Sequence, residues 1–161
     1  MWAAVLLIPL LVVIAFAVMS VSSRPPKTLG VRDGRLAACP DSPNCVSTQA
    51  NRESQQMDSI PLTIDSADAI GTLRKIVSAM PRTQIVTAED NYLHVEFTSA
   101  LFRFVDDVEF FVDRDQRVIH FRSASRVGHS DFGVNRQRMQ VIAAAFQHEM
   151  SRHDGSPKTD R

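Results

Sequence analysis

The sequence predicts an α+β fold: an N-terminal transmembrane or signal helix, then a β-α-β-β-β-β-α domain with an antiparallel sheet and helices packed on one face. Three observations predict it. Residues 2–21 contain no charged side chain. Two later segments carry apolar residues at helical spacing. Between those segments, short alternating stretches are separated by turn-forming residues, which favours an antiparallel meander.

The apolar stretch comes first. A 20-residue helix is about 30 Å long, enough for a bilayer core, and Pro9 is tolerated in spanning helices. A cleaved signal peptide would begin with a positive charge and carry a shorter apolar run. No Lys or Arg precedes this run, so an uncleaved anchor is the favoured reading and cleavage stays open. Arg24, Lys27, Arg32 and Arg35 follow it, which by the positive-inside rule would keep the domain in the cytoplasm. The cysteine pair argues for the opposite side. The expectation is a single-pass membrane protein whose domain faces the periplasm or another extracytoplasmic space.

Residues 24–58 read as an irregular linker rich in Pro and Gly. The compact domain is expected at 59–150 and a flexible tail at 151–161. Ile60, Leu62 and Ile64 alternate as a short strand. Asp65 or Ser66 can cap the helix that follows. Its stripe is Ala69, Ile70, Leu73, Ile76, Val77 and Met80, and Pro81 ends it. Strands are expected near 84–87, 92–98, 108–112 and 118–123. In the second of these, Leu93, Val95 and Phe97 point one way and Tyr92, His94 and Glu96 the other. The last helix spans about 134–151, with Met139, Ile142, Phe146 and Met150 as its stripe and Asp131 as its cap. A sheet with helices on one face leaves the other face needing a partner, a ligand or the bilayer.

The chain has 161 residues, with eighteen Lys+Arg against eighteen Asp+Glu. This length suits one domain, and the balanced charge excludes a basic nucleic-acid-binding surface. Cys39 and Cys45 are the only cysteines, in Cys-Pro-Asp-Ser-Pro-Asn-Cys. A disulfide is the first reading and favours an oxidising compartment. Two thiolates completed by His94, His120 or His129 could instead hold zinc, although the spacing is long for that role. A redox pair and free thiols are the other readings. No metal set and no cofactor is read from the sequence.

The candidate polar or ligand-contact cluster is Asp106, Asp107, Glu109, Arg122, Arg126, His129, Asp131, Asn135 and Arg136. Arg122 and Arg126 can form forked ion pairs with the three carboxylates. Alternatively, Arg122, Arg126 and Arg136 could join the last helix's N-terminus in holding an anion. Ser125, His129 and Asp131 have the residue types of a hydrolytic triad without a nucleophile-elbow signature, so no catalytic residue is assigned.

Three stretches carry a family resemblance. They are Cys-Pro-Asp-Ser-Pro-Asn-Cys-Val-Ser at 39–47, Asp-Asp-Val-Glu-Phe at 106–110, and Arg-Ser-Ala-Ser-Arg-Val-Gly-His-Ser-Asp-Phe-Gly-Val-Asn-Arg at 122–136. With Tyr92, they resemble domain-of-unknown-function family 1499, found in bacteria and plant plastids and often preceded by a targeting or membrane segment. The resemblance covers about residues 36–146. It implies one domain and marks Cys39, Cys45, Asp106, Asp107, Glu109, Arg122, Arg126, Asp131, Asn135 and Arg136 as pattern residues. It implies no reaction and no cofactor.

The functional expectation is a membrane-associated binding or assembly module rather than an enzyme. It would be tethered through residues 2–21 and contact an anionic small molecule, a lipid headgroup or an envelope protein. The alternatives are a small cell-envelope hydrolase or other small-molecule enzyme, and a purely structural envelope component.

Overall fold

The computed structural model describes residues 24–154. In chain order the elements are β1 (Cys45–Ser47), a single 3-10 turn (Glu53–Gln55), β2 (Ile60–Pro61), α1 (Ser66–Ser78), β3 (Thr83–Ala88), β4 (Tyr92–Thr98), β5 (Val105–Asp113), β6 (Val118–Ser125) and α2 (Val134–Asp154). Strands β3 to β6 form an antiparallel meander. Strands β1 and β2 both pair with β6, at Arg122–Ala124 and at Val118–Ile119 respectively, so the open sheet runs β1-β6-β5-β4-β3. From β2 onward this is the predicted β-α-β-β-β-β-α order.

The alternation within each strand decides the layers, because successive side chains point to opposite faces. Leu93, Val95 and Phe97 of β4 pack with Val108 and Phe110 of β5 and Ile119 and Phe121 of β6. Above them lie Ala69, Ile70, Leu73 and Val77 of α1 and Met139, Ile142 and Phe146 of α2, all buried. Truncating a side chain in such a core costs about 2–5 kcal/mol. The Thr83 hydroxyl binds the carbonyls of Val77 and Met80 and ties the end of α1 to β3. The carboxylate of Asp131 accepts the N–H groups of Gly133 and Asn135, the expected cap of α2. The other expected cap differs: Asp65 occupies the N-cap position of α1 but its side chain makes no capping hydrogen bond.

The opposite face of the sheet is not left open. The segment from Gly30 to Gln56, expected to be irregular, contributes β1 and folds across that face. The backbone N–H of Gly30 reaches Glu109 at 2.8 Å, and the Thr48 hydroxyl accepts the N–H of Phe121 at 3.1 Å. Leu36, Tyr92 and Phe111 form a small second core beneath the segment. Cys39 and Cys45 are joined in a disulfide that closes the loop leading into β1.

The expected transmembrane or signal helix needs correction. Among the described residues no helix is long and apolar enough to cross a membrane. Helix α1 has 13 residues, and α2 carries Arg136, Arg138, Arg152 and Glu149 along its length. Residues 2–21, on which the expectation rested, lie outside the described residues. The described fold contains no membrane helix, and it supports neither the expected single-pass localisation nor the membrane partner nor the membrane-associated function.

Candidate functional site

Of the nine polar residues grouped by the sequence, Asp107, Glu109, Arg122 and Arg126 gather on one face of the sheet and Asp106 and Asn135 on the other, while His129, Asp131 and Arg136 lie outside both clusters. The reason is local. Asp106 and Asp107 are neighbours on β5, so their side chains point to opposite faces.

The first cluster lies beneath the N-terminal segment. Cross-strand register places His94 beside Glu109, Glu96 beside Asp107, and Glu109 beside Arg122. Tyr92 donates its hydroxyl to Glu109 at 2.8 Å, and the Arg122 guanidinium reaches the other oxygen of that carboxylate at 3.3 Å. Arg126 grips Asp107 with two prongs, Nε at 2.8 Å and Nη2 at 2.7 Å, and Nη2 also donates to Glu96. His94 Nε2 lies 2.8 Å from Asp107. Asp107 is 1% exposed and Glu109 0%, so neither charge could persist without these partners.

The titration directions follow from that geometry. Burial alone would raise the Asp107 carboxyl. The hydrogen bonds from Arg126 and His94 outweigh it and hold the group below its ordinary value. The hydrogen bond to Asp107 raises Arg126, against a smaller opposing effect of burial. Burial, reinforced by the Glu109 charge, pushes the Tyr92 phenol far up. Burial lowers His120, whose Nδ1 lies 3.0 Å from the Thr48 hydroxyl and whose Nε2 has no hydrogen-bond partner among the described residues.

His94, Glu96 and Asp107 each bring one ligand atom within 4.8 Å of the others, a donor set suited to a divalent cation. The Arg126 guanidinium already binds two of the three and supplies the positive charge there. The first reading of the cysteines holds and the zinc alternative does not: both are spent in the disulfide.

The second cluster sits on the helix face, where α2 begins. Asn135 is its hub. It donates to the Asn44 carbonyl and the Ser125 hydroxyl and accepts from Ser123 and from Arg138. Arg138 also pairs with Asp106 at 2.6 Å, its guanidinium lying 4.6 Å from the centre of the Phe97 ring. Arg136 stands apart, binding the carbonyls of Ser54 and Gln56.

Above this cluster, between the β4–β5 loop and the β6–α2 loop, opens a groove of about 720 Å³. Leu101, Phe102, Phe104, Val127, Phe132 and Val134 give it apolar walls, and Asp106, Ser125, His129 and Asp131 add polar groups. Phe132 is 96% exposed and Leu101 78%. Phe132 also has φ +54°, a left-handed backbone that aromatic residues rarely adopt. Hydrogen bonds on either side hold it there: the Phe132 N–H to the Ser130 hydroxyl, and the Gly133 N–H to Asp131.

The triad residue types do not assemble. The Ser125 hydroxyl is bonded to Asn135, the Asp131 carboxylate holds backbone N–H groups, and His129 is exposed at the groove edge.

A family model described as protein of unknown function (DUF1499) matches residues 35–146. The chain belongs to this family. None of the curated proteins matches it. The DUF1499 match begins in the segment covering the polar face and ends at Phe146, a fully buried core residue of α2. It therefore includes both polar clusters and the groove.

The cluster drawn from the sequence omits several residues of the two buried networks. The alternation of β4 puts Tyr92, His94 and Glu96 on one strand face, but nothing local joins that face to Asp107 and Glu109. Arg138 carried no signal beyond its place on α2. Phe132 had a weak one, an aromatic between Asp131 and Gly133 in a turn.

Proposed function

We propose that this domain is a binding module for an apolar or amphipathic small molecule, taken up in the groove between the β4–β5 and β6–α2 loops. The observation that carries the reading is Phe132. An aromatic ring exposed to water and held on a left-handed backbone is unfavourable twice over, by about 1–3 kcal/mol for the backbone alone. Local hydrogen bonds fix it at the rim of an apolar groove, where a ligand would cover it together with Leu101. The groove volume of about 720 Å³ suits a small organic molecule. The polar groups at one side would orient a hydroxyl or amide end, while the aromatic and aliphatic walls supply affinity.

Titration of the full chain with the neutral apolar fluorophore N-phenyl-1-naphthylamine tests the reading. Saturable binding is expected, weakened about fivefold or more by Phe132→Ser and by Leu101→Ser, since each removes roughly 1–2 kcal/mol of apolar contact. Both side chains are exposed, so the melting temperature should not fall. Absence of saturable binding, or equal affinity in both variants, contradicts the proposal.

A further inference from the structure

The segment crossing the polar face carries a feature that neither the groove nor the buried clusters use. Arg32 and Arg35 exchange backbone hydrogen bonds, Arg32 N–H to the Arg35 carbonyl at 2.9 Å and Arg35 N–H to the Arg32 carbonyl at 3.0 Å. Between them, Asp33 and Gly34 have φ of +50° and +71°, the signature of a two-residue hairpin turn. Residues directly opposite in such a pair present their side chains on the same face, and like charges there repel. The hairpin therefore presents both arginine side chains on one face.

The body of the domain fixes this tip. The Gln49 side chain accepts the Leu36 N–H at 2.9 Å and donates to the Gly34 carbonyl at 3.1 Å. Arg35 Nη2 reaches the Gln49 carbonyl, and Arg32 Nη2 that of Lys27. Both arginines line a cavity of about 450 Å³, together with Arg52 and Asp41. Asp41 is the only carboxylate in that lining and is paired with Arg52 at 2.6 Å. Among the described residues, Arg32 and Arg35 make no ion pair. The cavity lining thus carries three positive groups against one negative, with two cations pre-positioned by a rigid turn.

We propose that this cavity binds a tetrahedral oxyanion through Arg32 and Arg35. Guanidinium groups match such oxygens through paired N–H donors. A bound dianion would convert the repulsion between the two side chains into attraction. The site lies on the opposite side of the sheet from the groove and stands independently of the binding role assigned there.

The test uses the full chain and inorganic phosphate, with chloride at matched ionic strength as the control. Amide resonances of the hairpin and of Gln49 should shift saturably with phosphate and not with chloride. Arg32→Gln and Arg35→Gln should each weaken binding about tenfold, the loss expected for a charge-assisted contact. Arg74→Gln, exposed on α1, should leave it unchanged. In phosphate-free buffer both hairpin variants should melt no lower than the wild type, because the relieved repulsion offsets the one exposed carbonyl contact that each guanidinium makes. Tighter binding of phenyl phosphate than of phosphate assigns the oxyanion to a larger phosphorylated molecule, and equal binding assigns it to the free ion. No saturation at millimolar phosphate, undiminished binding in the variants, or variants that melt lower without phosphate would each overturn the proposal, the last by giving the arginines a structural role.

Discussion

Replacing Arg126 with alanine removes the cation from the most buried part of the polar lattice. The guanidinium makes two hydrogen bonds to Asp107 and a third to Glu96. Asp107 is 1% exposed, so water cannot take its place there, whereas the Glu96 side chain is 20% exposed and partly hydrated. Breaking a buried pair from one side costs about 3–5 kcal/mol. The partial exposure of Glu96 puts the expectation at the lower end, about 3 kcal/mol, or a fall of about 10 °C in Tm for a chain of this size.

The loss must depend on pH, with a defined sign. In the wild type the Asp107 carboxyl is held below its ordinary value. Its stabilising contribution is complete above the unfolded carboxyl range, about pH 4, and disappears as pH falls through the lower folded value. In the variant His94 alone opposes burial, so the Asp107 carboxyl is held down less and its stabilising contribution is smaller. The difference between the two proteins should be widest near neutrality and shrink as pH falls below about 4, through the lowered wild-type value. Urea unfolding followed by circular dichroism at the two pH values measures it. A neutral-pH loss below about 1 kcal/mol, the value for exposed pairs, or a difference that does not shrink on acidification, refutes the reasoning.

Three further predictions follow from the same geometry. In Arg126→Ala, the ligand atoms of His94, Glu96 and Asp107 remain within reach of one another, so zinc should raise the unfolding midpoint of the variant and leave that of the wild type unchanged. An additional His94→Ala change should abolish the rescue, as read by thermal melts with and without chelator. Asn135→Ala takes from the buried Ser123 hydroxyl its acceptor and from the Asn44 carbonyl one of two donors, the Ser125 N–H remaining, and should cost about 1–2 kcal/mol in urea unfolding. Burial lowers His120, so the unfolded chain binds its proton first as pH drops below about 6.5, and stability should decline over that range. His120→Asn should flatten the decline in a pH series of melting temperatures.

The sequence made the scaffold readable wherever a single element carried its own signal. The alternation of Leu93, Val95 and Phe97 against Tyr92, His94 and Glu96 assigned both faces of β4 correctly. The stripe Met139, Ile142 and Phe146 identified the buried side of α2. What could not be read were relations between elements distant in the chain. Strand β1 has only three residues and exists because β6 offers an edge. Thr48 meets His120, and Gly30 meets Glu109, across separations that no local pattern encodes.

The same limit explains the candidate site. The sequence offers Arg122 and Arg126 as partners of the Asp106, Asp107 and Glu109 group without assigning pairs, and the fold sets Arg126 on Asp107 and Arg122 on Glu109. Adjacency in the chain misled at Asp106, which turns to the helix face and pairs with Arg138. Ser125, His129 and Asp131, from whose residue types no triad is assigned, sit at the end of β6 and in the loop after it. The serine and aspartate serve the start of α2, while the groove beside it is defined by Phe132, whose exposure depends on the conformation of its turn.

The groove between the β4–β5 and β6–α2 loops is the proposed binding site of this domain. Methyl-resolved NMR of the full chain during titration with N-phenyl-1-naphthylamine tests it most directly. The methyl groups of Leu101, Val127 and Val134 should shift together and saturate, while those of Val108 and Ile119, buried in the core, stay fixed. Shifts confined to another surface, or no saturable shifts at all, would contradict it.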